Sequence, residues 1–182
     1  KKFLLEHWKK NIMGVVEGDP DKALRRAQAL YDIGVRSFRI YSPEPGINVL
    51  RCLKKLRKAL GDEVELFVGQ VVDVLQAKQL ESAGADGLYI GIGGGGRCIT
   101  GVRSGSVIDW PILLWQLRGE INIPVIVEGG ASDHIATTLA LGATGIGVSR
   151  IAGGGTIESP GGMLYCIDQK GNYFKPYGGE AS

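Results

Sequence analysis

The sequence predicts an α/β fold, a (β/α)8 barrel of the TIM-barrel type with about six βα units in this chain, on three observations. Short runs of β-forming residues alternate with helical patterns, as repeated βαβ units require. Three helices end in a small-residue turn that passes into a strand: Ile33-Gly34-Val35-Arg36, Ala83-Gly84-Ala85-Asp86 and Leu141-Gly142-Ala143-Thr144. Each glycine suits the left-handed position that closes a helix. The third observation is length. At 182 residues the chain falls short of the about 250 a complete barrel uses and the roughly 200 it needs as a minimum. The chain is therefore expected to be a piece of a larger barrel or to have two units supplied otherwise. A flavodoxin-like open sheet is the alternative.

In chain order, the first strand is Gly14-Val-Val-Glu17, followed by a helix over 20–32 that Asp19 caps and Pro20 opens. Ser37-Phe-Arg-Ile-Tyr41 is the second strand, with a helix over 46–60, and Glu65-Leu-Phe-Val68 the third, with a helix over 74–83. Gly87-Leu-Tyr-Ile90 is a fourth, apolar strand, separated by a long loop from a helix over 109–119. Pro124-Val-Ile-Val127, a helix over 132–141 capped by Ser132, and Gly145-Ile-Gly-Val148 complete the six units. Beyond residue 149 the pattern changes to glycine-rich loops and a hairpin, Leu164–Ile167 with Tyr173–Phe174, turned at Lys170-Gly171-Asn172. The division is thus 1–148, a partial catalytic barrel, and 149–182, a phosphate loop and flap hairpin of the same domain.

Composition narrows the function classes. Lys and Arg number 21 against 19 Asp and Glu, a net charge of +2, and the charges are interspersed, so no basic block proposes nucleic acid. No apolar run approaches the roughly 20 residues of a membrane helix, and the start lacks the apolar segment of a signal peptide. Cys52, Cys98 and Cys166 are odd in number and far apart, which points to a reducing cytoplasm. Neither a histidine cluster nor a carboxylate pair proposes a metal hydrolase. His134 follows Asp133 at a helix start and reads as surface, His7 as structural, and Trp110 and Trp115 as packing residues flanking Pro111. Glycine is the anomaly, at 29 residues, about twice the roughly 7% usual share.

Ligands of such folds sit at the carboxyl ends of the strands. There the chain carries Tyr41–Gly46, Gln70–Asp73, Gly93–Thr100, Glu128–Gly130 and Ser149–Gly155. Gly91-Ile-Gly-Gly-Gly-Gly-Arg-Cys-Ile-Thr100 is the most informative of these. Its glycines can turn backbone N–H groups toward phosphates, and a thiol beside an anion-binding loop can become a nucleophile. Val127-Glu128-Gly129-Gly130 can hold sugar hydroxyls on the carboxylate and a phosphate on the glycine N–H groups. Ser149-Arg150 with Gly153-Gly-Gly155 is a second phosphate cradle with a cation beside it. A flexible loop with a buried cysteine, an acidic turn and a surface arginine are the plain counterparts of these three readings.

Together these residues resemble the IMP dehydrogenase/GMP reductase family over most of the chain from about residue 11. The family's cysteine loop, Gly-x-Gly-x-Gly-Ser-x-Cys-x-Thr, is matched at Gly91, Gly93, Gly95, Cys98 and Thr100, with Gly96 in the serine's place. Gln76–Gly87 resembles the helix into that strand, Pro124–Gly130 the Pro-Val-Ile-Ala-Asp-Gly-Gly segment with Glu128 for the ribose-binding aspartate, and Ala140-Leu-Gly-Ala143 the next helix end. Glu158-Ser-Pro-Gly161 is nearer the dehydrogenase branch, and Lys175–Ser182 resembles Lys-x-Tyr-x-Gly-Met-Gly-Ser, with Gly179 retained and Glu180 for methionine.

The resemblance implies that Cys98 adds to C2 of the hypoxanthine of IMP, that hydride passes to NAD, and that water, handled by Thr100, releases XMP. It implies Glu128 on the ribose, and Gly96, Gly129, Gly130, Ser149, Arg150, Tyr177, Gly179 and Glu180 around the rest of the nucleotide. Tyr41, Gln70 and Gly91 fall at cofactor positions. Gly93, Gly95 and the carbonyl of Cys98 fall at a potassium site. A homo-oligomer is implied as well. Tyr41 stands where the family has an aspartate, Gln70 where it has an asparagine, and the water-activating Arg-Tyr pair would lie beyond Ser182. Two other functions stay open beside the dehydrogenase: a GMP reductase-like enzyme, and a non-catalytic nucleotide-binding or assembly module.

Overall fold

A computed structural model describes residues 6, 7, 9, 11–42, 47–91, 107–131, 134–148 and 166–174, with Ile47 and Phe174 described for the backbone alone. Six parallel strands form one sheet in the order of the sequence: β1 Met13–Val16, β2 Ser37–Tyr41, β3 Glu65–Val71, β4 Gly87–Ile90, β5 Val125–Val127 and β6 Gly145–Ile146. Helices α1 Pro20–Asp32, α2 Ile47–Leu60, α3 Val74–Ser82, α4 Trp110–Leu117 and α5 Ile135–Ala140 alternate with them. A doubly wound sheet reverses its strand order at a switch point. Here each strand pairs with the next, the order of a partial (β/α)8 barrel, and the flavodoxin-like alternative falls.

The helix signals act as read. Asp19 accepts hydrogen bonds from the backbone N–H groups of Asp21 and Lys22 at 3.1 and 2.8 Å, with Pro20 in the first turn. Gly34, Gly84 and Gly142 have φ of +104°, +94° and +117°. After each, the next residue's N–H reaches five residues back: Val35 to Leu30 at 3.0 Å, Ala85 to Leu80 at 3.0 Å and Ala143 to Thr138 at 3.3 Å. The local repeat is therefore the same helix-closing turn used three times.

Several boundaries differ from expectation. β3 runs on to Val71, so Gln70 lies inside a strand. α4 stops at Leu117 because Arg118 turns extended and Gly119 takes φ +77°. α5 begins at Ile135 with His134, an exposed residue, in the capping position; Ser132 lies outside the described residues. Trp110 packs against the core, but Trp115 is 63% exposed and is not a packing residue. It falls with Ile112 on the outer stripe of α4, three residues apart, away from buried Leu113, Leu114 and Leu117. β7 Cys166–Ile167 pairs antiparallel with β8 Tyr173–Phe174 in the expected hairpin. The Asp168 carboxylate closes its turn by accepting from the N–H groups of Lys170 and Asn172 at 2.8 and 2.9 Å.

Alternation divides the sheet's two faces. Phe38, Ile40, Leu66, Val68, Leu88, Ile90, Val125 and Val127 are buried and share one cluster with the inner residues of the helices, including Ala27, Leu53, Leu56, Leu80 and Leu114. Ser37, Arg39, Tyr41, Phe67, Tyr89, Ile126 and Glu128 occupy the other face. Two contacts show that this face is concave. Arg39 on β2 reaches Glu128 past the end of β5, and the Tyr89 hydroxyl on β4 stands 3.7 Å from the Met13 sulfur on β1. Each spans three strand spacings, about 14 Å in a flat sheet, so the sheet curls about this face as a barrel wall does.

A candidate nucleotide site at the carboxyl rim

The concave face ends, at the carboxyl rim, in a polar cluster centred on Glu128. Both Arg39 Nη2 and Gln70 Nε2 donate to the same carboxylate oxygen, Oε1, from β2 and β3 respectively. Arg39 and Glu128 side chains are 17% and 21% exposed, and Gln70 is 5% exposed. Gln70 reaches inward because the β3–β4 register shifts between Val68 and Val71, an irregularity of the kind that re-aims a side chain. The guanidinium carbon of Arg39 lies 4.3 Å from the Tyr89 ring centre and 5.0 Å from that of Tyr41, cation–π distances on two sides. Tyr89 in turn meets Phe67 edge-on at 6.2 Å. Burial raises the Tyr89 phenol's pKa above its ordinary value, Arg39 opposes that rise and Glu128 adds to it.

Small residues make room for the carboxylate. A Cβ at Gly91 would stand 2.0 Å from the Glu128 carbonyl oxygen, and one at Gly147 would stand 2.9 Å from the Glu128 Cβ. Gly91 also has φ +113°, so two independent constraints demand glycine there. The Glu128 N–H bonds the Ile90 carbonyl at 3.0 Å. The last residue of β4 and Gly91, which follows it, thus lie against Glu128. Among the described residues no group of three or more His, Cys, Asp or Glu could hold a metal ion, and no helix is long and apolar enough to cross a membrane.

Residues 5–182 match the family described as the IMP dehydrogenase / GMP reductase domain. The chain belongs to that family. It is 35% identical over 169 residues to the inosine-5'-monophosphate dehydrogenase of Helicobacter pylori strain ATCC 700392 / 26695, covering 87% of this chain and 33% of that protein. Inosine-5'-monophosphate dehydrogenase 1 of Arabidopsis thaliana is 31% identical over 178 residues, 94% of this chain and 34% of its own length. The Mycobacterium leprae (strain TN) inosine-5'-monophosphate dehydrogenase is 32% identical over 179 residues, 94% and 33%. The chain spans about a third of the length of these relatives.

Of the residues matched to the IMP dehydrogenase / GMP reductase pattern, the fold gathers Tyr41, Gln70, Gly91, Glu128, Gly129 and Gly130 at adjoining strand ends. Gly129 and Gly130, with φ of +76° and +101°, turn the chain sharply after Glu128. Gly93, Gly95, Gly96, Cys98, Thr100, Ser149, Arg150, Tyr177, Gly179 and Glu180 lie outside the described residues, as do Glu158–Gly161. Sequence reasoning missed Arg39 and Tyr89. A signal for Arg39 was present: in Ser37-Phe-Arg-Ile-Tyr41 the alternation sets a charged residue on the face opposite Phe38 and Ile40. A buried guanidinium needs a carboxylate, and Glu128 is the one it finds.

Proposed function

We propose that this chain forms the nucleotide-binding part of an NAD-dependent oxidoreductase that converts IMP to XMP. One observation carries the reading most directly: the chain that goes on to Cys98 leaves β4 at Gly91, whose backbone lies against Glu128. Thiol loop and sugar carboxylate therefore start from the same point of the rim. The Cys98 thiolate adds to C2 of the hypoxanthine ring, and hydride departs from that carbon to leave a thioimidate. Water positioned by Thr100 then adds to C2, the C–S bond breaks, and XMP is released with the thiol restored. Glu128 takes the ribose hydroxyls, Gly129 and Gly130 offer N–H groups to the phosphate beside Gly96, Ser149 and Arg150, and Tyr177, Gly179 and Glu180 close over the nucleotide.

Bound NAD would supply the hydride acceptor. The rim suits its flat nicotinamide, since Tyr41 offers an aromatic face and Gly91 a backbone without a Cβ. Gln70, at a cofactor position by the family resemblance, turns its amide to Glu128 instead, and the carbonyls of Gly93, Gly95 and Cys98 would hold a potassium ion. A cytoplasmic homo-oligomer is the matching assembly. The test is turnover by the purified chain. IMP and NAD should yield NADH, and Cys98→Ala should abolish it while retaining IMP binding. The reading is wrong if the intact chain neither turns over nor binds IMP; oxidation of NADPH with GMP would instead move it to the reductase branch.

A further inference from the structure

We infer that Arg39, together with Gln70, completes a hydroxyl-reading subsite beside Glu128 and so determines selection of ribose over deoxyribose. The inference rests on the nucleotide reading above and deepens it. Three side chains converge on one point from β2, β3 and the end of β5, and among the described residues two of their polar atoms have no partner. Arg39 Nε, a donor, and Gln70 Oε1, an acceptor, are both buried and unsatisfied. Each sits two bonds from the nitrogen that its own side chain gives to Glu128 Oε1, so the orphan donor and the orphan acceptor flank the same carboxylate.

Leaving such groups unpaired forfeits their hydration with nothing in return, and buried polar groups are rarely left so. A sugar hydroxyl answers both, because it donates and accepts at once. It would accept from Arg39 Nε–H and donate to Gln70 Oε1. A sugar hydroxyl therefore matches the pair better than an isolated carbonyl or amine. The tyrosines keep this reader in place: Tyr41 and Tyr89 hold the guanidinium at cation–π distance on two sides. Arg39 touches the sugar and not the reacting carbon, so it is a specificity residue and not a catalytic one.

The experiment uses the full chain labelled with 15N, with the Arg39 Nε–H resonance assigned through Arg39→Lys. Ribose 5-phosphate should shift that resonance and 2-deoxyribose 5-phosphate should not. By calorimetry, the wild type should prefer IMP over 2'-deoxy-IMP by about tenfold or more, the scale of one hydrogen bond to a charged group. Arg39→Lys keeps the charge facing Glu128 but loses the fork, and should bind the two nucleotides within about twofold of each other. Arg39→Met serves as the second variant and should also lose the preference. The inference is overturned if ribose 5-phosphate leaves the resonance unmoved, if both sugars move it equally, or if Arg39→Lys discriminates as the wild type does. A shift with ribose 5-phosphate in a chain that does not bind IMP would support the hydroxyl subsite and reject the purine reading.

Discussion

Cys52 shows at the scale of one residue how burial changes a thiol's chemistry. It is fully buried in α2, and its sulfur lies 3.1 Å from the Gly18 carbonyl oxygen. Desolvation, with Asp19 adding to it and Lys55 opposing, pushes its pKa up to about 11 from 9.0. The folded chain therefore holds this proton over a range where the unfolded chain has lost it. Stability is fully present below about pH 9 and declines as pH rises toward about 11, by about 2.7 kcal/mol in total. Urea unfolding across that range should show Cys52→Ala losing less stability with pH than the wild type; parallel curves would contradict the assignment. At neutral pH the folded protein should protect Cys52 from alkylation. This was only partly legible: the sequence shows three scattered cysteines, while the burial of Cys52 and its neighbouring carbonyl come from the packing of α2 against the turn between β1 and α1.

At the scale of elements, one arginine ties four of them together. Arg57, in the last turn of α2, donates to the Gly84 carbonyl at 2.7 and 3.1 Å, to Gly61 at 2.8 Å and to Val64 at 2.9 Å, and it pairs with Asp86. Asp86 in turn accepts from the Leu66 N–H at 2.7 Å. The end of α2, the start of β3 and the turn from α3 into β4 are thereby fastened to one planar group. Gly84, required for the helix-closing turn, also leaves space for it, since a Cβ there would meet Arg57 Nε at 3.3 Å. Arg57→Met should cost about 3 kcal/mol in urea unfolding, because it strands three carbonyls and a carboxylate. Arg57→Lys should recover only a fraction, having no planar fork. A loss under about 0.5 kcal/mol for Arg57→Met would refute the role. In the sequence Arg57 is one cation among 21; two of its partners, Gly84 and Asp86, lie 27 and 29 residues downstream, and nothing local marks them.

The whole molecule has a sheet with one apolar face under its helices and one mixed face curled toward Glu128. A nucleotide held at the rim contacts the ends of several strands, so its binding energy should add to global stability. With IMP at about 100 times its dissociation constant, the gain is about 2.7 kcal/mol, which for a chain of this size raises Tm by about 5–10 °C. Scanning calorimetry with and without IMP measures this, and Cys98→Ala should show the same rise, since the proposed function gives the thiol a part in chemistry and not in affinity. No change in Tm at saturating IMP would count against a nucleotide site in this chain. At this scale the sequence was most legible: alternating periods, cap residues and three Gly turns fall where the strands and helices are. Its errors lie where local pattern carries no information on neighbours, as at Trp115, which falls on the outer stripe of an apolar helix, and at Gln70, drawn into β3 by an irregular register.

By itself the sequence determined the order and type of the elements, the helix-closing glycines and the family, because these rest on local periodicity, backbone freedom and short motifs. Only the tertiary structure decided that Arg39, Gln70 and Glu128 share a site. They stand 31 and 58 residues apart along the chain, and what unites them is the curling of a parallel sheet. That curvature brings every second residue of separate strands to one interior, where a buried charge must find its counter-charge.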